Sequence, residues 1–209
     1  MNAPQAGGGL MSRGGLHFLL LGCAREPDQV ETRALARAIG LTWGWPLGPV
    51  GGVLGLAEDA SRVLFDRCFP GAIALLAQVH SLGAPASSDP RLDEFADLLE
   101  LLMAHRKDRT IQGEWVARAV AAGCMGDNHL WEDLGLASRA SLSALLNAHF
   151  PALVAQNTHN LRWKRFFYRQ LCQRAEISLC KAPSCGVCSD YAACFGGSED
   201  SSPARRSVG

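Results

Sequence analysis

The sequence predicts an all-α protein with a C-terminal cysteine-rich metal-cluster loop. Apolar residues recur at helical spacing along most of the chain, and the sequence contains no convincing alternation of the kind that strands show. Near the end, four cysteines fall within fifteen residues, an arrangement that a helical domain does not need in order to fold. With 209 residues, 48% of them hydrophobic, the chain is long enough to bury a sizeable core.

Composition divides the chain into a central domain and two peripheral tails. Residues 1–15 are rich in glycine and other small residues, and residues 196–209 are rich in glycine, serine and charge. Both tails are predicted to be disordered, because they contain too few apolar residues to pack. Residues 16–179 are expected to form the helical domain, and residues 180–195 to form the cysteine-rich loop packed on it.

An apolar run at residues 16–21 superficially resembles a lipoprotein export signal. Arg13 precedes the run, and Gly22 and Cys23 follow it. The run is shorter than an export core, however, and it contains His17. No other apolar stretch in the sequence approaches the length that spans a bilayer. We therefore expect a cytoplasmic protein with reduced thiols and no membrane partner.

Three helices are predicted in the first half of the domain. Residues 30–39 form an amphipathic stretch that stops at Gly40, and residues 53–69 form a longer one. Residues 72–79 are expected to form a short apolar helix. The glycine-rich stretch at residues 48–55 is expected to be a loop leading into a helix, since it lacks the glycine order of a phosphate-binding motif.

Four further helices are predicted at residues 90–105, 114–122, 138–149 and 161–175. The first of these opens with Asp89 and Pro90, which suit an N-cap and a first helical turn. Apolar residues follow at helical spacing, so this helix is expected to pack through one face. Its acidic residues are expected to form the solvated face: Asp93, Glu94, Asp97 and Glu100.

The metal-ligand signal consists of four closely spaced cysteines, Cys180, Cys185, Cys188 and Cys194. Two thiolates separated by two residues can chelate one metal ion or neighbouring irons of a cluster. The intervening residues include proline, glycine, serine and aspartate, which favour turns around a small inorganic object. The segment is therefore predicted to be a metal-binding or iron–sulfur loop.

Two other uses of these cysteines remain open at this point. Two disulfides would need an oxidising compartment, and a chain this large and apolar does not depend on such cross-links. A structural zinc site would use the same four thiolates in a closed tetrahedron, commonly as two CxxC pairs. Only Cys185 and Cys188 form such a pair here.

The last predicted helix carries a basic face just before the cysteines. A helical wheel separates its aromatic side from a cationic side that contains Arg162, Arg165 and Arg169, with Cys172 nearby. An ordinary solvated face explains this pattern. However, Lys164 and the arginines also lie just upstream of the thiolates, where cations would stabilise a negatively charged cluster or an oxyanion.

Two sequence blocks resemble the NifQ family. Residues 121–136 read AAGCMGDNHLWEDLGL, and residues 163–172 read WKRFFYRQLC and continue through the spaced cysteines to Cys194-Phe195-Gly196. Between the blocks the likeness continues at Arg139, Leu142, Ser143, Phe150, Leu153 and Asn157. The resemblance covers roughly residues 88–196, and the two blocks stand in the family's order.

This resemblance implies a role in nitrogen fixation. NifQ proteins act in assembly of the iron–molybdenum cofactor of nitrogenase, as iron–sulfur proteins that can carry a molybdenum–iron–sulfur cluster and deliver molybdenum to the assembly machinery. By position, the implied cluster ligands are Cys180, Cys185, Cys188 and Cys194. The implied partners are the scaffold and iron proteins of cofactor assembly.

Further candidates for the same site are Cys172, Arg165, Arg169, Cys124 and His129. Cys172 is equally consistent with an additional ligand and with a small buried hydrophobic residue. Cys124 and His129 belong to the first block, and packing explains both of them more simply than metal binding does. Cys23 and Cys68 have no nearby partner cysteine in the sequence and are expected to be core residues.

Catalytic motifs are not evident in the sequence. It contains no GxxxxGK[ST] phosphate loop, no GxSxG nucleophile turn and no HExxH zinc helix. We therefore expect a carrier and not an enzyme. The alternatives are an iron–sulfur redox or sensor protein and a helical interaction module with structural zinc. Nucleic acid is not an expected partner, because the formal net charge is zero and no helix-turn-helix pattern stands out.

Overall fold

A computed structural model of the chain describes residues 13–47, 53–76 and 91–174, and the regular structure in these ranges is entirely helical. The predicted all-α fold class is therefore confirmed for this part of the chain. In chain order the elements are α1 (Arg13–Cys23), α2 (Val30–Thr42), a 3₁₀ turn (Val53–Gly55), α3 (Glu58–Cys68), α4 (Ala72–Leu76), α5 (Arg91–Ala104), α6 (Ile111–Cys124), α7 (Leu130–Asp133), α8 (Arg139–His149), α9 (Pro151–Ala155) and α10 (Trp163–Arg174).

Helix α6 is the centre of the core. Most of its residues are buried, and it packs against α2, α5 and α7. Most of its buried residues are alanine, valine or glycine, so neighbouring helices can approach its backbone closely. Gly123 illustrates the constraint, because a Cβ atom at this position would lie 2.8 Å from Leu134 Cδ2. A sequence block rich in small residues thus becomes the helix around which the others are arranged.

The N-terminal apolar run forms part of this core. Leu16 and Leu20 are fully buried in α1, which packs against α2. Residues 13–15, which the sequence places in the tail, belong to the first turn of α1. The described helices include none that is long and apolar enough to cross a membrane.

Two predicted helix boundaries in the first half are wrong. Helix α2 continues through Gly40 to Thr42, whose Oγ1 donates a 2.9 Å hydrogen bond to the carbonyl oxygen of Ala38. Its packing against α1 and α6 outweighs the intrinsic cost of a helical glycine, which is about 1 kcal/mol. Tertiary contacts, which local propensity does not report, decide where this helix ends.

The single helix predicted at residues 53–69 is divided in the structure. A 3₁₀ turn precedes α3, and Leu54 and Gly55 have positive φ angles of 54° and 71°. Arg118 on α6 holds this turn, because its Nη1 donates a 3.1 Å hydrogen bond to the Leu54 carbonyl oxygen. The helix predicted at 72–79 begins at Ala72 as expected, and residues 77–90 lie outside the described ranges.

Capping residues fix the starts of two later helices. Ser138 caps α8 by accepting a 3.1 Å hydrogen bond from the Ser141 backbone, which confirms the helix predicted at 138–149. Thr110 caps α6 in the same way, accepting from Gly113 N at 3.1 Å. The sequence prediction started α6 at residue 114, three residues late, because the cap precedes the apolar pattern.

Replacing Thr110 by alanine is expected to destabilise the protein by about 1 kcal/mol, because the first turn of α6 then loses its side-chain acceptor. Urea unfolding of the full chain, followed by circular dichroism, measures the change. The matched control is Thr110→Ser, which keeps the acceptor oxygen and should restore most of the lost stability. Equal losses in both variants would show that the hydroxyl does not act as a cap.

Candidate functional site

The four predicted cluster ligands, Cys180, Cys185, Cys188 and Cys194, lie outside the described residues. The structure does describe the helix that leads to them. Helix α10 ends at Arg174, six residues before Cys180. The contacts that hold α10 therefore fix the position of Arg174, the last described residue before these cysteines.

Aromatic side chains attach α10 to the core. Trp163, Phe166 and Phe167 are buried together, with ring centroids about 6 Å apart. Trp163 also donates a 3.2 Å hydrogen bond from Nε1 to the hydroxyl oxygen of Ser143 on α8. The structure confirms that the aromatic side predicted by the helical wheel is the packing side: Trp163 and Phe167 are buried, and Leu171 on the same side is partly buried.

A buried ion pair joins α10 to the α6–α7 corner. Lys164 Nζ lies 2.7 Å from Asp133 Oδ2, and the Asp133 side chain is only 2% exposed. The same ammonium group donates a 2.7 Å hydrogen bond to the carbonyl oxygen of Gly126. The sequence grouped Lys164 with the cations available to a cluster, but the structure turns this side chain into the protein. Lys164 is therefore held by Asp133 and Gly126, apart from the cationic side that contains Arg162, Arg165 and Arg169.

The Asp133 carboxylate also fixes the loop between α6 and α7. Asn128 donates to it twice, from the backbone N at 3.0 Å and from Nδ2 at 3.1 Å. Together with Lys164, these donors compensate the loss of water around a buried charge. Position 126, next to the Asp133 carboxylate, must be a glycine, because a Cβ atom there would collide with the carboxyl carbon and oxygens.

Cys124 and His129 occupy very different environments in the first sequence block. Cys124 is 1% exposed, and burial raises the pKa of its thiol to about 12, although the nearby Lys164 partly opposes this shift. A protonated, buried thiol is a poor metal ligand, so this placement favours a packing role for Cys124. His129 is exposed at the start of α7, where its backbone N donates to Glu132 Oε2 at 3.0 Å.

The remaining candidates lie along α10. Arg165 and Cys172 are partly buried, and Arg169 is exposed. Within residues 13–47, 53–76 and 91–174, no group of three or more histidine, cysteine or acidic side chains is arranged to hold a metal ion. A metal-related role for Cys172, Cys124 or His129 therefore stays a prediction. Cys23 and Cys68 are partly buried and pack against the core.

The sequence missed the role of Glu94 in this region. Asp93, Asp97 and Glu100 are exposed on α5 as predicted, but Glu94 is partly buried and accepts a 2.8 Å hydrogen bond from the Tyr168 hydroxyl of α10. A signal existed, since Glu94 shares one helix face with Leu98 and Leu101. No comparable signal marks Asp133, whose cationic partner is 31 residues away.

These features define a class: an all-α protein whose last described helix is fixed by buried polar contacts just ahead of a cysteine-rich sequence. The family model described as NifQ matches residues 45–196, which is more than half of the chain. The chain therefore belongs to the NifQ family. No solved structure matches it.

Curated relatives agree with this family. The protein NifQ of Azotobacter vinelandii is 45% identical over 150 residues, which are 68% of this chain and 77% of that protein. The protein NifQ of Rhodobacter capsulatus is 41% identical over 152 residues, which are 71% of this chain and 79% of the relative. The NifQ homologue of Sinorhizobium fredii is 40% identical over 148 residues, and the match spans 63% of its length.

Replacing Lys164 by methionine is expected to lower the free energy of unfolding by about 3 kcal/mol, because Asp133 is then left buried without its cation. Chemical denaturation of the full chain measures this loss. The control is Lys107→Met, a change at an exposed position that should stay within about 0.5 kcal/mol of the wild type.

The double variant Asp133→Asn with Lys164→Met separates charge from packing. It removes both charges together and should recover a large part of the stability lost in Lys164→Met. If Lys164→Met is as stable as Lys107→Met, the ion pair does not fix α10.

Proposed function

We propose that the protein carries molybdenum on an iron–sulfur cluster and delivers it for biosynthesis of the nitrogenase iron–molybdenum cofactor. The observation that carries this proposal is the extent of the NifQ match, which runs to residue 196 and so includes Cys180, Cys185, Cys188 and Cys194. The resemblance noted in the sequence assigns these four cysteines to the cluster.

The donor set suits such a cluster. Four cysteine thiolates are soft anionic ligands of the kind that hold iron in iron–sulfur clusters. Arg165 and Arg169 lie on α10 shortly before them, and guanidinium groups stabilise negative charge through hydrogen bonds and their field. When bound, the cluster would supply bridging sulfide through which molybdenum can be held next to iron.

The fold supports a carrier by fixing the start of the ligand segment. Lys164 is tied to Asp133, Trp163 to Ser143 and Tyr168 to Glu94, so three neighbouring helices hold α10. A short cysteine-rich segment that begins from such a fixed helix can present its cargo without rearranging the core. The role of the chain is to bind and hand over a metal, so we propose a carrier without catalytic activity, with the scaffold and iron proteins of cofactor assembly as partners.

Metal analysis of Cys188→Ala tests this assignment. Anaerobically purified wild-type protein should contain iron, sulfide and molybdenum, and the variant should lose most of all three because one thiolate ligand is removed. The matched control is Cys23→Ala on α1, outside the proposed ligand set, which should keep the wild-type metal content.

Other results of the metal analysis would contradict this proposal or favour an alternative function. Unchanged iron and molybdenum in Cys188→Ala would refute the ligand assignment. Iron without molybdenum in the wild type would favour the redox or sensor alternative. Zinc alone would favour a helical module with a structural zinc site and would exclude both iron–sulfur functions.

Growth under molybdenum limitation tests the physiological role. Removing the gene should slow nitrogen-fixing growth of the host when molybdate is scarce, because delivery to the cofactor then becomes limiting. Complementation with the wild-type gene should restore growth, and complementation with the Cys188→Ala gene should not. Undiminished growth of the deletion strain would argue against a donor role.

A further inference from the structure

Charge is distributed very unevenly along the chain. The full sequence contains 20 basic residues (Lys and Arg) and 20 acidic residues. Residues 134–175, by contrast, contain no aspartate or glutamate at all. The basic residues of this stretch are Arg139, Arg162, Lys164, Arg165, Arg169 and Arg174. Helices α8 to α10 therefore contribute only positive side-chain charge to the protein surface.

Three of these arginines form a row along α10, with Arg162 just before its first residue. With about 100° of rotation per residue, Arg162, Arg165 and Arg169 fall within an arc of about 60°. Arg162 and Arg169 are exposed, and Arg165 is partly exposed. Lys164 does not belong to the row, because it points inward to Asp133. The row is about 10 Å long at 1.5 Å of rise per residue.

A fourth guanidinium group extends the row beyond the start of the helix. Arg139 Nη2 donates to the carbonyl oxygens of Asn160 and Leu161, at 3.3 and 3.4 Å. These contacts bring Arg139, at the start of α8, next to Arg162. We call Arg139, Arg162, Arg165 and Arg169 the arginine row.

An acidic row lies on α5, the helix that packs beside α10. Tyr168 contacts Glu94 at 2.8 Å, and Arg174 lies 3.9 Å from Glu100. These two contacts are six residues apart on each helix, so α5 and α10 run in the same direction. The exposed carboxylates of α5 are Asp93, Asp97 and Glu100, and they lie along the neighbouring helix.

We propose that the arginine row and its acidic border are the docking surface for a partner protein with the complementary pattern, a row of carboxylates flanked by basic residues. Guanidinium groups one helical turn apart match carboxylates spaced along a protein surface. A single oxyanion needs donors converging on one point, which a 10 Å row does not provide. A nucleic-acid backbone would be repelled by the acids of α5.

The contacts made by the other sides of α10 hold this surface rigidly. Trp163, Lys164 and Tyr168 each bond to a different neighbouring element, so the helix is held against rotation about its own axis. The arginine row is thus presented in one orientation before any partner arrives. Preorganisation of this kind lowers the ordering cost of association.

The binding experiment uses two helical peptides of identical composition and net charge. The striped peptide carries glutamates at i, i+3 and i+7 with lysines on the adjacent face, and the scrambled peptide distributes the same residues around the helix. The full chain, purified anaerobically, should bind the striped peptide roughly tenfold more tightly than the scrambled one, with association that slows as salt increases.

The test variant is R162E/R165E/R169E, and the control is R67E/K107E/R109E, which changes the net charge equally at exposed positions outside the row. The row variant should lose the preference for the striped peptide, and the control should keep it. Circular dichroism establishes that each variant is folded. R162Q/R165Q/R169Q replaces the reversal variant if that one does not fold, with the same loss expected.

Three outcomes would overturn the proposal. If the striped and scrambled peptides bind equally tightly, binding depends on net charge alone. The same conclusion follows if the row variant and the control variant lose the same preference for the striped peptide. Tighter binding of duplex DNA or of molybdate to the row would identify another ligand class. The readout does not depend on the cargo, so a protein without molybdenum would refute the proposed carrier function and leave the docking surface standing.

Discussion

The ion pair between Asp133 and Lys164 ties the α6–α7 corner to α10, the last described helix before the cysteines. A buried carboxylate must be compensated by donors, and Asp133 obtains them from Lys164 and from both nitrogens of Asn128. Gly126 must also lack a side chain, because a Cβ atom there would collide with the Asp133 carboxyl group. The α6–α7 corner and the start of α10 are thereby held together across 31 residues of chain.

An apolar contact at the same place would hold the helix less specifically. Replacing a buried ion pair by well-packed hydrophobic residues often costs little stability, so the pair is not explained by stability alone. Aromatic packing of Trp163 and Phe167 tolerates small rotations of α10, whereas a 2.7 Å contact to one carboxylate oxygen does not. The pair therefore fixes the rotation of the helix, and apolar burial supplies most of its attachment.

Local pattern predicted the helices well and the polar contacts between them poorly. The helix at 138–149 and the packing side of α10 were predictable, because periodicity and the Ser138 cap are local signals. The break before α3 depends on Arg118, 64 residues from its acceptor at Leu54, and the inward turn of Lys164 depends on a distant carboxylate. Spacing in the sequence cannot identify such partners, because the residues next to each of them carry no signal of a partner that lies 64 or 31 positions away.

The inward side of α10 attaches the helix to the core, and the orientation of its outward side depends on that attachment. Inward side chains bond to α5, α7 and α8, and this attachment determines that the arginines between them face outward. The same attachment fixes the position of Arg174, from which six residues lead to Cys180. A partner docked on the proposed arginine row would therefore meet a helix held in one orientation, whose last residue precedes the first of the proposed cluster ligands by six positions in the sequence. Under the proposed carrier function, the acceptor can then approach while the core stays folded.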